Sequence, residues 1–130
     1  MIQKDYIERL IQEFARALSM LLNRPELEKR REALQAMYAQ YVGPYEVLFN
    51  ANADEMFDFM EQFAPQERLQ RMEMLAELYM AEADTVGKVT ADSLMERAYL
   101  LYDYIQQEGR IFSFSHQQKM QTIRERLKQI

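Results

Sequence analysis

Residues 90–109, TADSLMERAYLLYDYIQQEG, decide the fold class. At 100° per residue, the only strictly polar stripe on this stretch is formed by Glu96, Asp103 and Gln107, and apolar side chains occupy nearly all the rest of its surface. A helix that is apolar almost all round packs on more than one side. We therefore expect this segment to be the central helix of an all-α protein.

Glycine and proline separate this helix from others. The chain has only three of each, and all six lie between stretches that carry apolar residues at the i, i+3, i+4 and i+7 spacing of a buried helix face. So few turn residues exclude a sandwich or barrel. The pattern predicts one all-α domain over residues 1–130, a bundle of antiparallel helical hairpins with five long helices and a short one. The predicted helices cover about 5–22, 25–41, 52–63, 65–85, 90–108 and 113–130, with 44–51 as a connection.

Capping residues support these boundaries. Asn52 followed by Glu55 has the spacing of a capping box, and Gly87 suits the position just beyond the end of the 65–85 helix. Thr90 or Asp92 is expected to cap the helix that follows.

The last segment is expected to lie across the bundle as a lid. Ser113 or Ser115 is predicted to cap it, and phenylalanines at its start are predicted to hold it in place. Its apolar line is thin, and the residues concerned are Ile111, Phe112, Phe114, Met120, Ile123, Leu127 and Ile130.

Composition argues against most catalytic and metal chemistry. There is no Cys, which excludes disulfide frameworks and thiolate metal sites. His116 is the only histidine, so no HExxH motif, His-based zinc set or Ser-His-Asp triad is possible, and no phosphate-binding loop motif occurs. We expect a non-enzymatic protein without a cofactor or metal, with His116 exposed and inert in the first turn of the last helix.

Charge is unevenly distributed along the chain. The net charge of −5 disfavours duplex nucleic acid as a partner, yet residues 44–108 carry −10 and residues 109–130 carry +4. The basic end is expected to pack beside the acidic middle, or alternatively to steer a charged partner. No signal peptide and no uncharged run long enough for a membrane span is evident, so we expect a cytoplasmic protein without membrane contact.

Three groups of residues are candidates for partner binding. Arg30 and Arg31 flank the apolar stripe of the 25–41 helix; either their stems cover the core edge, or they form an anion or acidic-peptide site with Lys29 and Arg24. The second group is an apolar stripe on the 65–85 helix, formed by Met74, Leu78 and Ala81. The third group consists of three tyrosines of the central helix, Tyr99, Tyr102 and Tyr104.

Each of these apolar groups has a structural and a functional interpretation. The stripe around Met74 and Leu78 is either covered on two sides within the monomer or forms an interface with a partner or a second copy. The tyrosines are core residues or the anchors of an open groove.

Two resemblances support the helical interpretation. Residues 65–108 resemble a tetratricopeptide-type helical hairpin, although nineteen positions separate Tyr79 from Ala98 where that repeat has nine, and its closing Pro is missing. The matching residues are Met72, Leu75, Ala76 and Tyr79 in the first helix and Ala98, Tyr102 and Ile105 in the second. The whole chain resembles a family of small all-helical bacterial proteins of uncharacterised function through DYIERLIQ (5–12), YIQQE (104–108) and IFSFS (111–115).

The sequence thus favours a helical protein-interaction module that binds an unknown protein or itself. The alternative is a bundle that holds a small apolar ligand among its flexible methionine side chains.

Overall fold

The computed structural model describes residues 2–109 and 113–128, and within those ranges it contains seven helices and no strand. The all-α prediction is confirmed. Five helices are long and two are short: α1 (Ile2–Leu22), α2 (Leu27–Tyr41), α3 (Tyr45–Asn50), α4 (Ala53–Met60), α5 (Pro65–Ala83), α6 (Lys88–Gly109) and α7 (Phe114–Leu127).

The additional short helix is α3, in a segment predicted as a connection. Pro44 stands at its N-cap, and the Leu48 amide donates a 3.1 Å hydrogen bond to the Pro44 carbonyl. Burial of Leu48 in the core favours the helical conformation over an extended connection. Such a short helix gives almost no periodic signal in the sequence because it spans fewer than two turns.

The helix boundaries at α4 and α7 agree with the predicted caps. The Asn52 side chain accepts from the Glu55 amide at 2.8 Å, while the Glu55 carboxylate accepts from the Asn52 amide at 2.9 Å. Ser113, rather than Ser115, caps α7 by accepting from the His116 amide.

The start of α6 differs from the prediction. The helix begins at Lys88, so Thr90 and Asp92 lie inside its first turns and do not cap it. Gly87 is not the residue that ends α5 but the one that opens α6, because its carbonyl accepts the Ala91 amide at 2.8 Å. Asp92 instead forms a 3.0 Å ion pair with Lys88.

The central helix is α5, whereas the sequence suggested α6. α5 packs against α1, α2, α4 and α6, and α6 packs mainly against α5 and α7. Arg71 and Glu82 of α5 are charged, yet both are buried. After residue 70, the residues of α5 that are not buried form one strip of Glu73, Glu77 and Met80, and Asp84 continues this strip just past the end of the helix.

Polar bridges fix α7 parallel to α5. Each bridge joins an acidic residue of α5, or Asp84 just past its end, to a residue of α7 that lies 42 or 43 positions later, so the two helices run in the same direction. The bridges are Glu73–His116, Glu77–Lys119 and Asp84–Arg126. The expected packing of the basic end beside the acidic middle is therefore confirmed.

α1 also runs parallel to α5. Near its middle, the Phe14 ring packs edge-on against Tyr41 at 5.2 Å, and the Tyr41 carbonyl accepts a hydrogen bond from Arg71 near the start of α5. At its end, Leu22 lines the same depression as Asp84, which follows the last residue of α5. α2 packs against both α1 and α5, and α6 packs against both α5 and α7.

α7 is held by few apolar contacts. Met120 and Ile123 are buried, as the predicted apolar line requires. Phe114 does not hold the start of this helix, because 69% of its surface is exposed. Ile111, Phe112 and Ile130 lie outside the described residues. Among the described helices, none combines the length and apolar character that a membrane crossing would need.

Candidate functional site

The stripe around Met74 and Leu78 belongs to the core. Met74 and Leu78 are 2% and 0% exposed, and Ala81 is also buried. The helices that surround α5 cover this side of it. The prediction that Met74 and Leu78 form a partner interface is therefore wrong, and the alternative that the monomer covers both sides of α5 holds.

The tyrosines of α6 do not line a common groove. Tyr102 is fully buried, the Tyr99 hydroxyl accepts a 2.8 Å hydrogen bond from Arg124 of α7, and Tyr104 packs against Phe57 of α4 at a ring distance of 5.3 Å. Because Tyr102 is buried, Tyr99 is engaged by α7 and Tyr104 packs on α4, the described residues show no open groove beside α6 that all three tyrosines line.

Arg30 and Arg31 are half-buried and do not form one basic site. Both Nε atoms are buried without a hydrogen-bond acceptor, and Arg31 lies beside the Tyr45 hydroxyl. Lys29 pairs with Glu26 at 3.8 Å, so it is not gathered with them. This geometry agrees with stems that cover the edge of the core.

His116 is not the exposed residue that the sequence suggested. Its side chain is 12% exposed, with Nε2 3.2 Å from the Glu73 carboxylate and the ring 5.2 Å from that of Tyr102. The reason is its position, one helical turn before the buried Met120 on the face of α7 that packs on the bundle.

A buried polar network around Glu82 was missed by sequence reasoning. The Glu82 carboxylate, 1% exposed, accepts a 2.6 Å hydrogen bond from the Tyr38 hydroxyl and a second from the Tyr45 hydroxyl. Burial, followed by the nearby Glu82 charge, raises the pKa of Tyr38 well above its ordinary value. Burial, together with the hydrogen bond to Glu82, also raises the pKa of Tyr45 to about 12. The network ties α2 and α3 to α5.

Arg97 of α6 forms a second polar network, which joins α6 to α3 and α5. Its Nη1 donates to the carbonyls of Leu48 at 2.9 Å and Ala51 at 2.8 Å, and its guanidinium lies over the Tyr79 ring. Tyr79 donates a further 2.7 Å hydrogen bond to Leu48. These acceptors are the last carbonyls of a short helix, which have no partner within it. Both networks are enclosed by protein, so we assign them to the stability of the fold.

An apolar groove remains open between α1 and α7, above the solvent-exposed strip of α5. Its volume is about 310 Å³. α1 contributes only apolar residues to its lining and α7 only polar ones, while α5 and α6 together contribute three further apolar residues. The lining residues are Leu18, Leu22, Glu77, Met80, Ala81, Asp84, Met95, Lys119, Thr122 and Arg126. We call this surface the α1–α7 groove.

Two other depressions are less suited to a partner. One of about 430 Å³ lies beside a single helix and is lined only by polar residues of α1, from Asp5 to Gln12. The other, of about 180 Å³, lies between α5 and the start of α7 beside Leu69, Ile105 and His116. The α1–α7 groove differs from both because three helices bring apolar side chains to it.

The charged groups of the α1–α7 groove neutralise one another. Lys119 Nζ lies 2.9 Å from Glu77, and Arg126 Nη1 lies 2.7 Å from Asp84. Arg126 also donates to the Ala83 carbonyl. Since these pairs leave no net charge, apolar contact is what this groove offers to a ligand.

No family model, curated protein or solved structure matches the chain. Among residues 2–109 and 113–128, no group of three or more acidic or histidine side chains is placed to hold a metal ion. The candidate site therefore depends on the geometry of the α1–α7 groove.

Proposed function

We propose that this protein is a non-enzymatic helical interaction module that binds an amphipathic helix in the α1–α7 groove. The observation that carries the proposal is the apolar lining of this open groove, to which α1 brings Leu18 and the 44% exposed Leu22 and α5 brings Met80. An amphipathic helix recognises such a groove by placing an apolar row against the wall and floor.

The arrangement of the helices supports this proposal. α1, α5 and α7 run in the same direction, α2 packs against α1 and α5, and α6 packs against α5 and α7. Arrays of helical hairpins, to which the tetratricopeptide-type resemblance points, stack their repeats side by side and thereby create extended concave binding surfaces. On the same resemblances we propose that the module belongs to the bacterial cytoplasm.

The polar side chains of the groove favour binding over catalysis. Lys119 and Arg126 are each engaged by an α5 carboxylate, and a catalytic acid or base must be within reach of a substrate proton. The walls instead expose Leu18 and Leu22, which offer surface area and no reactive group.

A small apolar ligand is a second candidate, favoured by the depression of about 180 Å³ beside Leu69 and Ile105. A probe such as indole distinguishes this function from the first. We expect no stabilisation of the fold by indole; an increase in melting temperature that Ile105→Trp abolishes would favour the ligand-binding function instead.

Selection from a displayed library of amphipathic helical peptides tests the main proposal. Leu22→Glu places a charge on the groove wall, and Val47→Glu is its matched control, since the two residues are 44% and 50% exposed. We expect selected peptides to bind the wild type and Val47→Glu but to lose at least tenfold in affinity for Leu22→Glu. Peptides that bind all three proteins equally would overturn the proposal.

A further inference from the structure

α7 is joined to the rest of the bundle mainly by polar side chains. Only two of its 14 residues, Met120 and Ile123, are buried, whereas α5 buries ten of its 19 residues. A helix that buries few apolar side chains opens at a lower cost in free energy than one in the middle of the core. We therefore expect α7 to separate from the bundle more readily than α5 does.

The ion pairs of α7 do not compensate for its small apolar contact. The side chains of Lys119 and Glu77 are 31% and 29% exposed, and those of Arg126 and Asp84 are 33% and 62% exposed. Pairs that are exposed to this degree contribute little to stability, because water and salt screen the two charges. They orient α7 along α5 without holding it there tightly.

α7 covers one face of α6. Tyr99 and Tyr102 are three residues apart and share this face. The Tyr99 hydroxyl accepts a 2.8 Å hydrogen bond from Arg124. The Tyr102 ring lies 5.2 Å from the His116 ring and 5.7 Å from Lys119 Nζ. Removing α7 would therefore open one side of both tyrosines to water.

The closed arrangement leaves one polar group without a partner. The Tyr102 hydroxyl is buried, and among the described residues nothing forms a hydrogen bond with it. Burial, followed by the charges of Glu77 and Glu73, raises the pKa of Tyr102 above its ordinary value. A buried hydroxyl without a partner costs free energy that is regained when water reaches it. Closing α7 over Tyr102 therefore has a specific cost.

We infer that α7 is a strap that opens as a unit while α1 to α6 stay folded, and that its opening exposes the face of α6 formed by Tyr99 and Tyr102. The hydrogen bond from Arg124 to Tyr99 favours the closed state, and the unsatisfied hydroxyl of Tyr102 favours the open one. Any partner of these two tyrosines reaches them only in the open state, so α7 controls access to this face. The inference goes beyond the proposed function and requires no ligand in the α1–α7 groove.

Two variants with the same chemical change test the inference by amide hydrogen exchange of the full chain. In the wild type, we expect the amides of α7 to exchange about tenfold faster than those of α5, relative to their intrinsic rates. Tyr102→Phe removes the unsatisfied hydroxyl and should slow exchange in α7 about fivefold. Tyr99→Phe removes the acceptor of Arg124 and should speed it about fivefold.

A charge variant measures the contribution of the ion pairs. We expect Lys119→Met to speed exchange in α7 about threefold, because the pair with Glu77 is lost. Lys88→Met, which removes a pair of similar length within α6, is the control and should leave α7 unchanged. Amides of α7 that exchange no faster than those of α5, or tyrosine variants that both shift exchange in the same direction, would overturn the inference.

Discussion

The Tyr38 hydroxyl donates a 2.6 Å hydrogen bond to the Glu82 carboxylate across 44 residues of sequence, and both side chains are buried. The bond joins α2 to the central helix α5. Because Tyr45 donates to the same carboxylate, α3 is fastened at this point as well. A buried carboxylate is tolerated only when such donors replace its water, so these tyrosines explain how a charged residue can stand in the core.

Removing one donor from Glu82 should destabilise the fold. We expect Tyr38→Phe to lower the free energy of unfolding by about 1–3 kcal/mol, because the carboxylate stays buried with one partner fewer. Urea denaturation measures the change, and Tyr6→Phe, at an exposed tyrosine, serves as the control. A Tyr38→Phe protein as stable as the wild type would show that the bond contributes nothing.

Alkaline pH should destabilise the protein through its buried tyrosines. Burial raises the pKa of Tyr79 to about 12, against about 10 for an unfolded tyrosine. The folded state therefore holds the proton more tightly, and the stability it contributes is present below pH about 10 and lost as the pH rises toward about 12. We expect urea midpoints to fall across that window, less steeply for Tyr79→Phe than for the wild type. Equal slopes would contradict the assignment.

These tyrosines also show where sequence reasoning fails. Helix spacing places Tyr38 and Tyr79 on the inward faces of their helices, but nothing in the charge pattern marks Glu82 as buried. Glu82 is three residues after Tyr79 and therefore lies on the same, buried side of α5. This spacing is the one feature of the sequence that could have indicated its burial. Whether a buried charge finds partners depends on residues that only folding brings together. Because the sequence pattern treats buried charges such as Glu82 as polar, it makes α5 look less buried than α6 and points to α6 as the central helix.

Replacing Arg97 should destabilise the fold, although a charged residue on a helix is ordinarily expected to face solvent. We expect Arg97→Met to lower the free energy of unfolding by about 1–3 kcal/mol, because the Ala51 carbonyl loses its side-chain donor and the Leu48 carbonyl keeps only that of Tyr79. Amide hydrogen exchange should increase most in α3 and the residues after it. Arg24→Met, at an exposed arginine, should change neither quantity, and a similar loss in both variants would argue against the specific role.

A substitution in the stripe around Met74 and Leu78 tests directly whether these residues belong to the core or to an interface. We expect Leu78→Ala to lower the free energy of unfolding by about 2–5 kcal/mol, because it opens a cavity at a fully buried position. The control Leu100→Ala, at a residue 40% exposed, should cost much less. Light scattering should show the same oligomeric state for Leu78→Ala as for the wild type, and a change in that state would restore the interface interpretation.

The α1–α7 groove could not be predicted from the sequence, for a different reason. The i, i+4 spacing of Leu18 and Leu22 puts them on one apolar face of the first helix, and the structure covers only part of that face. The gap depends on how far α7 lies from α1, and α7 is held in place by its bridges to α5, such as Lys119–Glu77. A distance between helices that are remote in sequence has no local pattern from which to predict it.

Photo-crosslinking in living cells tests most directly whether the α1–α7 groove is the binding surface. A benzophenone amino acid replaces Leu22 in one protein and Val47 in the other, two apolar positions of similar exposure. We expect irradiation to give a discrete crosslinked product, with a second copy or another protein, from position 22 and none from position 47. Equal products from both positions, or a product from position 47 alone, would contradict the assignment of the groove.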